Sequence, residues 1–146
     1  MAGASALQMP GNRSQASHSS DVIYMENAKV AAAFAKGAPL LEVGAYKVHA
    51  SRREAPGVAE IHERDTDIIY VLDGAATFVT GGTAVDTKLV ASEEIRGKAI
   101  AGGQSYHLAK GDVIIVPNGT PHWFQEVQAP FTYYVVKVRA TQGDVR

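Results

Sequence analysis

An all-β domain led by one short N-terminal helix is the fold this sequence predicts, on three observations. From about residue 40 onward, β-branched and aromatic residues come in runs of roughly 4–8, separated by Gly, Pro and Asp turns, as in a sandwich or barrel. Some runs, notably VIIV at 113–116 and YYVVKV at 133–138, are apolar on both faces, as strands between a barrel interior and an outer packing layer are. Helical periodicity is confined to one stretch ahead of Gly37.

The opening MAGASALQMPGNRSQASHSS reads as a processed or engineered leader, so residues 1–20 are expected to be disordered. The helix falls over about residues 26–35, where Val30, Ala33 and Phe34 share one face and Gly37 and Pro39 stop the turn. Strands follow at LLEV, AYKVHASRR, AEIHE, DIIYVL, ATFVTG, TAVDT, EEIRGKAI, SYHLA, DVIIVP, HWFQEV and FTYYVVKV. Between Thr83 and Gly103 the glycines and charges suit either a long hairpin or a mobile loop. The domain is expected to span residues 21–139, with 140–146 fraying.

Composition narrows the function. A chain of 146 residues that is 46% hydrophobic buries one sizeable core, and a formal charge of −1 with scattered basic residues leaves no footprint for nucleic acid or an anionic membrane. A small molecule is the expected partner. The absence of cysteine removes disulfides, thiolate metal sites and a cysteine nucleophile, so any metal must be held by His and carboxylate. No run reaches the ~20 apolar residues a membrane helix needs. The chain reads as soluble, cytoplasmic or periplasmic, the leader standing where a secretory signal could have been.

Two constellations carry chemistry. In AEIHERDTDIIYVLDG, residues 59–74, Glu60 and His62 project to one face of a strand while Ile61 points away. A polar turn then leads to Asp67, and a hairpin closing at Gly74 would bring it back beside His62. In GDVIIVPNGTPHWFQE, residues 111–126, two turns bracket a strand and place His122 at the start of the next, where it is the natural fourth ligand. Phe124 and Glu126 share its face by the period-two rule, and Trp123 points oppositely.

On these residues the chain resembles the cupins. The second cupin motif, glycine, five residues, Pro-x-Gly, two residues, His, is matched by Gly111, Pro117, Gly119 and His122. The first motif is matched more loosely over residues 60–74, with Glu60 at the usual first histidine, Asp67 at the usual glutamate, and Gly74 closing it. Glu126 stands where an asparagine often ends the second motif. The resemblance covers about residues 40–138 and implies a cupin-type double-stranded β-helix, a jelly-roll barrel, with one divalent metal inside. Carried over by position, the ligands are Glu60, His62, Asp67 and His122. Imidazole and carboxylate suit Fe, Mn, Zn or Ni, and two His with one carboxylate leave open sites of the kind non-haem Fe(II) oxygenases use. Either all four residues bind metal, or His62, His122 and one acid bind it and the other acid serves as general base, with Glu60 the candidate.

The expected function is a metal-dependent enzyme acting on a small organic molecule in the barrel, an oxygenase first, with isomerase or lyase chemistry close behind. The alternative is a non-catalytic cupin that binds or senses a sugar or small acid. His18, His49 and His107 are read as non-ligands, and Tyr70, Tyr106, Phe78, Phe124 and Tyr133 as core aromatics. Trp123, pointing away from the site among apolar strand positions, suggests a homodimer formed through an outer sheet face.

Overall fold

The alanine-rich stretch forms α1, Asn27–Lys36, in a computed structural model that describes residues 21–141. Val30, Ala33 and Phe34 are its half-buried positions, so the expected face is the one that packs. Gly37 ends it at φ +74, its N–H bonded to the Ala33 carbonyl, the left-handed cap that glycine adopts at least cost. The leader and the last five residues, including His18, lie outside the described residues. Ala140, placed in the fraying tail by the sequence, is tied to Arg64 by backbone and side-chain hydrogen bonds.

Eleven strands follow: β1 (Ala38–Glu42), β2 (Tyr46–Arg53), β3 (Ala59–His62), β4 (Asp65–Thr80), β5 (Thr83–Val85), β6 (Lys88–Ala91), β7 (Glu94–Gly97), β8 (Ala99–Ala101), β9 (Gln104–Ala109), β10 (Val113–Val116) and β11 (His122–Arg139). Nine form one curled antiparallel sheet, and β5 and β8 pair separately. The long strands β4 and β11 are its spine, paired from His122↔Thr80 to Arg139↔Asp65.

Each spine strand joins two runs the sequence reads as separate. Gly74, expected to turn a hairpin, instead lies inside β4 at φ +83, where a Cβ would stand 2.5 Å from the Pro130 carbonyl oxygen. Opposite it β11 bends at the cis Ala129–Pro130 bond, with register slips between Gln128 and Tyr133. The two strands fold over together, so each lines both halves of the barrel. β3 therefore does not pair with β4: it pairs with β11 and β7, and Asp67 reaches His62 across the interior rather than through a hairpin.

The main core lies inside the curl, from Ile69, Val71 and Phe78 on β4 to Phe124, Phe131, Tyr133 and Val135 on β11. Phe124, Phe131 and Tyr133 stack with ring centroids 5.2–5.6 Å apart. Tyr70 and Tyr106, expected in the core, are 45% and 38% exposed: Tyr70 stands on the outward phase of β4 between buried Ile69 and Val71, whereas Tyr106 shares the phase of buried Leu108, opposite Phe78, and is left partly exposed. Residues 83–103, left between hairpin and loop, form β5 to β8. This region builds a second, smaller cluster in which Val79, Ala59 and Ile100 pack with Ala84 and Trp123. Trp123 is thus partly buried within its own chain, and its Nε1–H donates to the Gly57 carbonyl at 2.9 Å. The outward apolar aromatic invoked for a dimer is engaged here.

Candidate metal centre

Three strand positions bring the first donors together. Glu60 on β3 lies directly opposite His122 on β11, and His62 projects from the same face two residues on. The turn PNGTP that precedes His122 is fastened to β3: Gly119 N–H donates to the His62 carbonyl at 2.7 Å, and the Asn118 side chain donates to the Glu63 carbonyl at 3.1 Å. Gly119 does this at φ +79, a conformation that favours glycine. The two motifs, distant in sequence, become one site through this clamp.

Glu60, His62 and His122 each offer one donor atom, and all three atoms lie within 4.8 Å of one another. His122 Nε2 is 3.9 Å from Glu60 Oε2 and 3.8 Å from Asp67 Oδ2. These gaps are too wide for hydrogen bonds and are near the spacing of donors around one ion with ~2.0–2.1 Å bonds. His122 Nδ1 lies 3.0 Å from the Thr120 carbonyl. A carbonyl only accepts, so Nδ1 carries the proton and Nε2 presents its lone pair to the cluster. Burial, and the nearby His62, push the His122 pKa down, against the pull of Asp67, the Thr120 carbonyl and Glu60, which keeps the imidazole neutral. A neutral imidazole is the ligating form.

Asp67, only 4% exposed, lies beside this group of three but outside it, and has a partner of its own. Lys137 on β11 donates to both carboxylate oxygens at 2.9 Å, and His62 Nδ1 stands 3.2 Å from Oδ2. Burial acts to raise the Asp67 pKa, but the His62 hydrogen bond and the charges of Lys137, His62 and His122 outweigh it and hold the value at about 2. Lys137 went unremarked in the sequence reading, although period two along TYYVVKV places it on the inward face with Tyr133 and Val135. Glu94 was missed too: it faces His62 across the β3–β7 ladder, 3.9 Å from Nε2, and pairs with Arg96 at 3.1 Å.

Glu126 is not brought in. A bulge between Phe124 and Glu126 adds one residue to β11, flips the phase, and sets Glu126 on the exposed face beside Thr77. The shared face expected for His122 and Glu126 is thereby broken. His107 lies on that same outer face, within 3.4 Å of Thr77 Oγ1. His49 pairs with Glu42 at 2.9 Å and lines the cavity wall without joining the donor cluster.

The donors open on a cavity of about 210 Å³ whose walls include Arg53, Ser51, Phe124 and Tyr133. It adjoins a second hollow of about 280 Å³, the two sharing His49, His62, Glu94 and Lys137.

Fold and donor cluster together define a double-stranded β-helix protein with a His/carboxylate centre. The family described as Cupin matches residues 14–144, and the chain belongs to it. Its fold is similar to that of a protein from Bacillus halodurans, at 12% identity, covering 86% of each chain with a TM-score of 0.58. It is also similar to a conserved protein with a double-stranded β-helix domain from Klebsiella pneumoniae, at 18% identity, covering 74% of this chain and 76% of that one with a TM-score of 0.50. A weaker likeness is to Pac13, a nucleoside dehydratase from Streptomyces, at 14% identity and a TM-score of 0.45; it covers 69% of this chain and only 65% of that protein. No curated protein matches the sequence significantly. No helix among the described residues is long and apolar enough to cross a membrane.

Proposed function

We propose that this cupin is a metal-dependent enzyme acting on a small organic molecule, with Glu60, His62 and His122 as ligands and Asp67 as the fourth donor. The observation that carries it is the convergence of neutral, correctly tautomeric His122 with His62 and Glu60 at the edge of a small cavity. The donor set suits Fe, Mn, Zn or Ni. Lys137 donates to both oxygens of Asp67, and a divalent ion bound at that carboxylate would take over its role and release Lys137.

A metal held by Glu60, His62 and His122 would supply Lewis acidity toward a carbonyl or hydroxyl of the substrate. The chain's own residues supply the rest. Lys137, released from Asp67 but still lining the cavity, carries a proton to or from the substrate. Glu60, with Oε1 3.7 Å from Arg96 Nε, presents Oε2 inward as an anionic donor held in position by that pair. A Lewis acid beside a lysine suits isomerisation or elimination. Were Asp67 to stay with Lys137, the remaining set of two His and one Glu would match open non-haem iron sites, which favours the oxygenase reading.

Elemental analysis of protein purified without chelator, followed by substrate screening of the metal-loaded protein in air and under nitrogen, tests the proposal. We expect about one equivalent of transition metal per chain. Turnover unaffected by nitrogen supports proton-transfer chemistry, and oxygen dependence supports the oxygenase reading. Tight small-molecule binding by metal-free protein, with no turnover under any loading, supports a binding or sensing cupin instead. A Glu60→Gln variant that keeps metal but loses turnover assigns Glu60 as base rather than ligand.

We also propose that a second copy of the chain covers the outer sheet face. Val113 and Ile115 on β10, at 59% and 60% exposed, adjoin Tyr70 and Ile68 on β4, at 45% and 36%, in direct register, and among the described residues β10 pairs on one side only. An apolar face continuous with an unpaired edge suits an isologous dimer. A light-scattering mass of one chain at micromolar concentration overturns this.

A further inference from the structure

Four cationic side chains line the two adjoining hollows on the inward faces of β2 and β11, namely Lys47, Arg53, Lys137 and Arg139, and they differ in what they face. Lys137 has Asp67, and Arg139 has Glu93 and Asp65. Arg53, on the wall of the metal cavity itself, has no carboxylate within ion-pair distance among the described residues. Its guanidinium instead lies over the Phe124 ring, 4.4 Å from the centroid, and its Nε–H donates to the Tyr133 hydroxyl at 3.3 Å.

That placement is built rather than incidental. Gly57 leaves the space: a Cβ there would stand 2.7 Å from Arg53 Nη1. Gly57 is itself pinned, its N–H bonded to the Phe124 carbonyl and its carbonyl to Trp123 Nε1. Arg53 thus keeps its terminal N–H groups uncommitted to any acid, in the cavity that holds Glu60, His62 and His122. Tyr133, having accepted from Arg53, has its own O–H left to donate, and Ser51 stands directly opposite Tyr133 in the β2–β11 ladder. Once a divalent ion neutralises the donor cluster, this fork faces the pocket as an uncompensated charge, together with the released Lys137.

We infer that Arg53, with Tyr133 and Ser51, forms a carboxylate-binding subsite, and that the substrate is a small organic acid. Its carboxylate takes the planar guanidinium fork while a carbonyl or hydroxyl elsewhere in the molecule turns to the metal. This rests on the metal-enzyme reading for the second contact but not for the first. The cavity of about 210 Å³ corresponds to roughly seven waters, which suits a short-chain oxo or hydroxy acid.

The test is calorimetric titration of pyruvate and levulinate, a 2-oxo and a 4-oxo acid, each against its methyl ester, into metal-loaded and metal-free protein. At least one acid is expected to bind wild type about tenfold or more tightly than its ester, and Arg53→Met to erase that difference while keeping its metal content. Gly57→Ala, which retains the arginine but crowds its guanidinium, is expected to weaken acid binding in the same direction and serves where Arg53→Met fails to fold. Absence of metal with acid selectivity intact, still dependent on Arg53, overturns the metal reading and leaves the subsite standing. Esters binding as tightly as acids, neither acid binding wild type, or Arg53→Met binding acid like wild type overturns the subsite.

Discussion

Replacing Lys137 with methionine removes the only cation among the described residues that contacts both oxygens of Asp67, at 2.9 Å each, and keeps the bulk of the side chain. The Asp67 and Lys137 side chains are 6% and 17% exposed, so little water reaches the pair. Leaving one partner of a buried pair uncompensated typically costs 3–5 kcal/mol. Because His62 Nδ1 still stands 3.2 Å from Oδ2, the lower end applies, and we expect metal-free Lys137→Met to lose about 3 kcal/mol. With a urea dependence of ~1.5 kcal/mol per molar, that is a midpoint lower by ~2 M. Saturating Mn²⁺ or Zn²⁺ should then stabilise the variant more than it stabilises wild type, because Asp67 no longer has to exchange one cation for another. Urea unfolding with chelator and with metal, for both proteins, reads all four values. A metal-free midpoint indistinguishable from wild type, or equal metal stabilisation in both proteins, would show that Lys137 does not hold the cation's place at Asp67.

Three further outcomes follow from the same contacts. In the ligand series, His122→Ala and Asp67→Ala should lose bound metal while Glu126→Ala, exposed beside Thr77, keeps it; metal content by mass spectrometry decides, and the reverse pattern for the two acids refutes the assignment. For metal-free protein, Asp67 has a folded pKa of about 2 against 3.8 unfolded, so its contribution of about 2 kcal/mol is complete above pH 4 and lost as pH falls toward 2. His122, also lowered, adds a loss that begins as pH drops below its ordinary 6.5; thermal melts across pH should show both, and Asp67→Asn should lack the more acidic step. Gly74→Ala forces a Cβ against the Pro130 and Gln128 carbonyl oxygens at positive φ, and its urea midpoint should report a loss of at least ~2 kcal/mol.

Much of this architecture can be read from residue periodicity, and the failures have identifiable causes. Strand existence is legible from run composition, and the convergence of Glu60, His62 and His122 from strand phase plus the second motif. Gly74 and Pro130 look like turn residues in isolation; only their mutual contact reveals two bent strands. Glu126 was misplaced by a single bulge, because one added residue inverts every face assignment beyond it. Trp123 reads as outward correctly, but the cover that β5 and β8 provide comes from glycine-rich sequence with little periodic signal. Lys137 and Arg53 carried the period-two signal and were passed over because an inward cation in an apolar run has meaning only once its partner, or lack of one, is known.

The central claim is that Glu60, His62 and His122 hold one metal ion, with Asp67 joining them. Anomalous diffraction from crystals of Mn²⁺-loaded protein measures this directly. The account predicts a single strong peak about 2.0–2.3 Å from one donor atom of each of the three residues, with Lys137 Nζ withdrawn from Asp67. Diffraction that shows no peak at this cluster, with the Lys137–Asp67 pair intact under saturating metal, contradicts it.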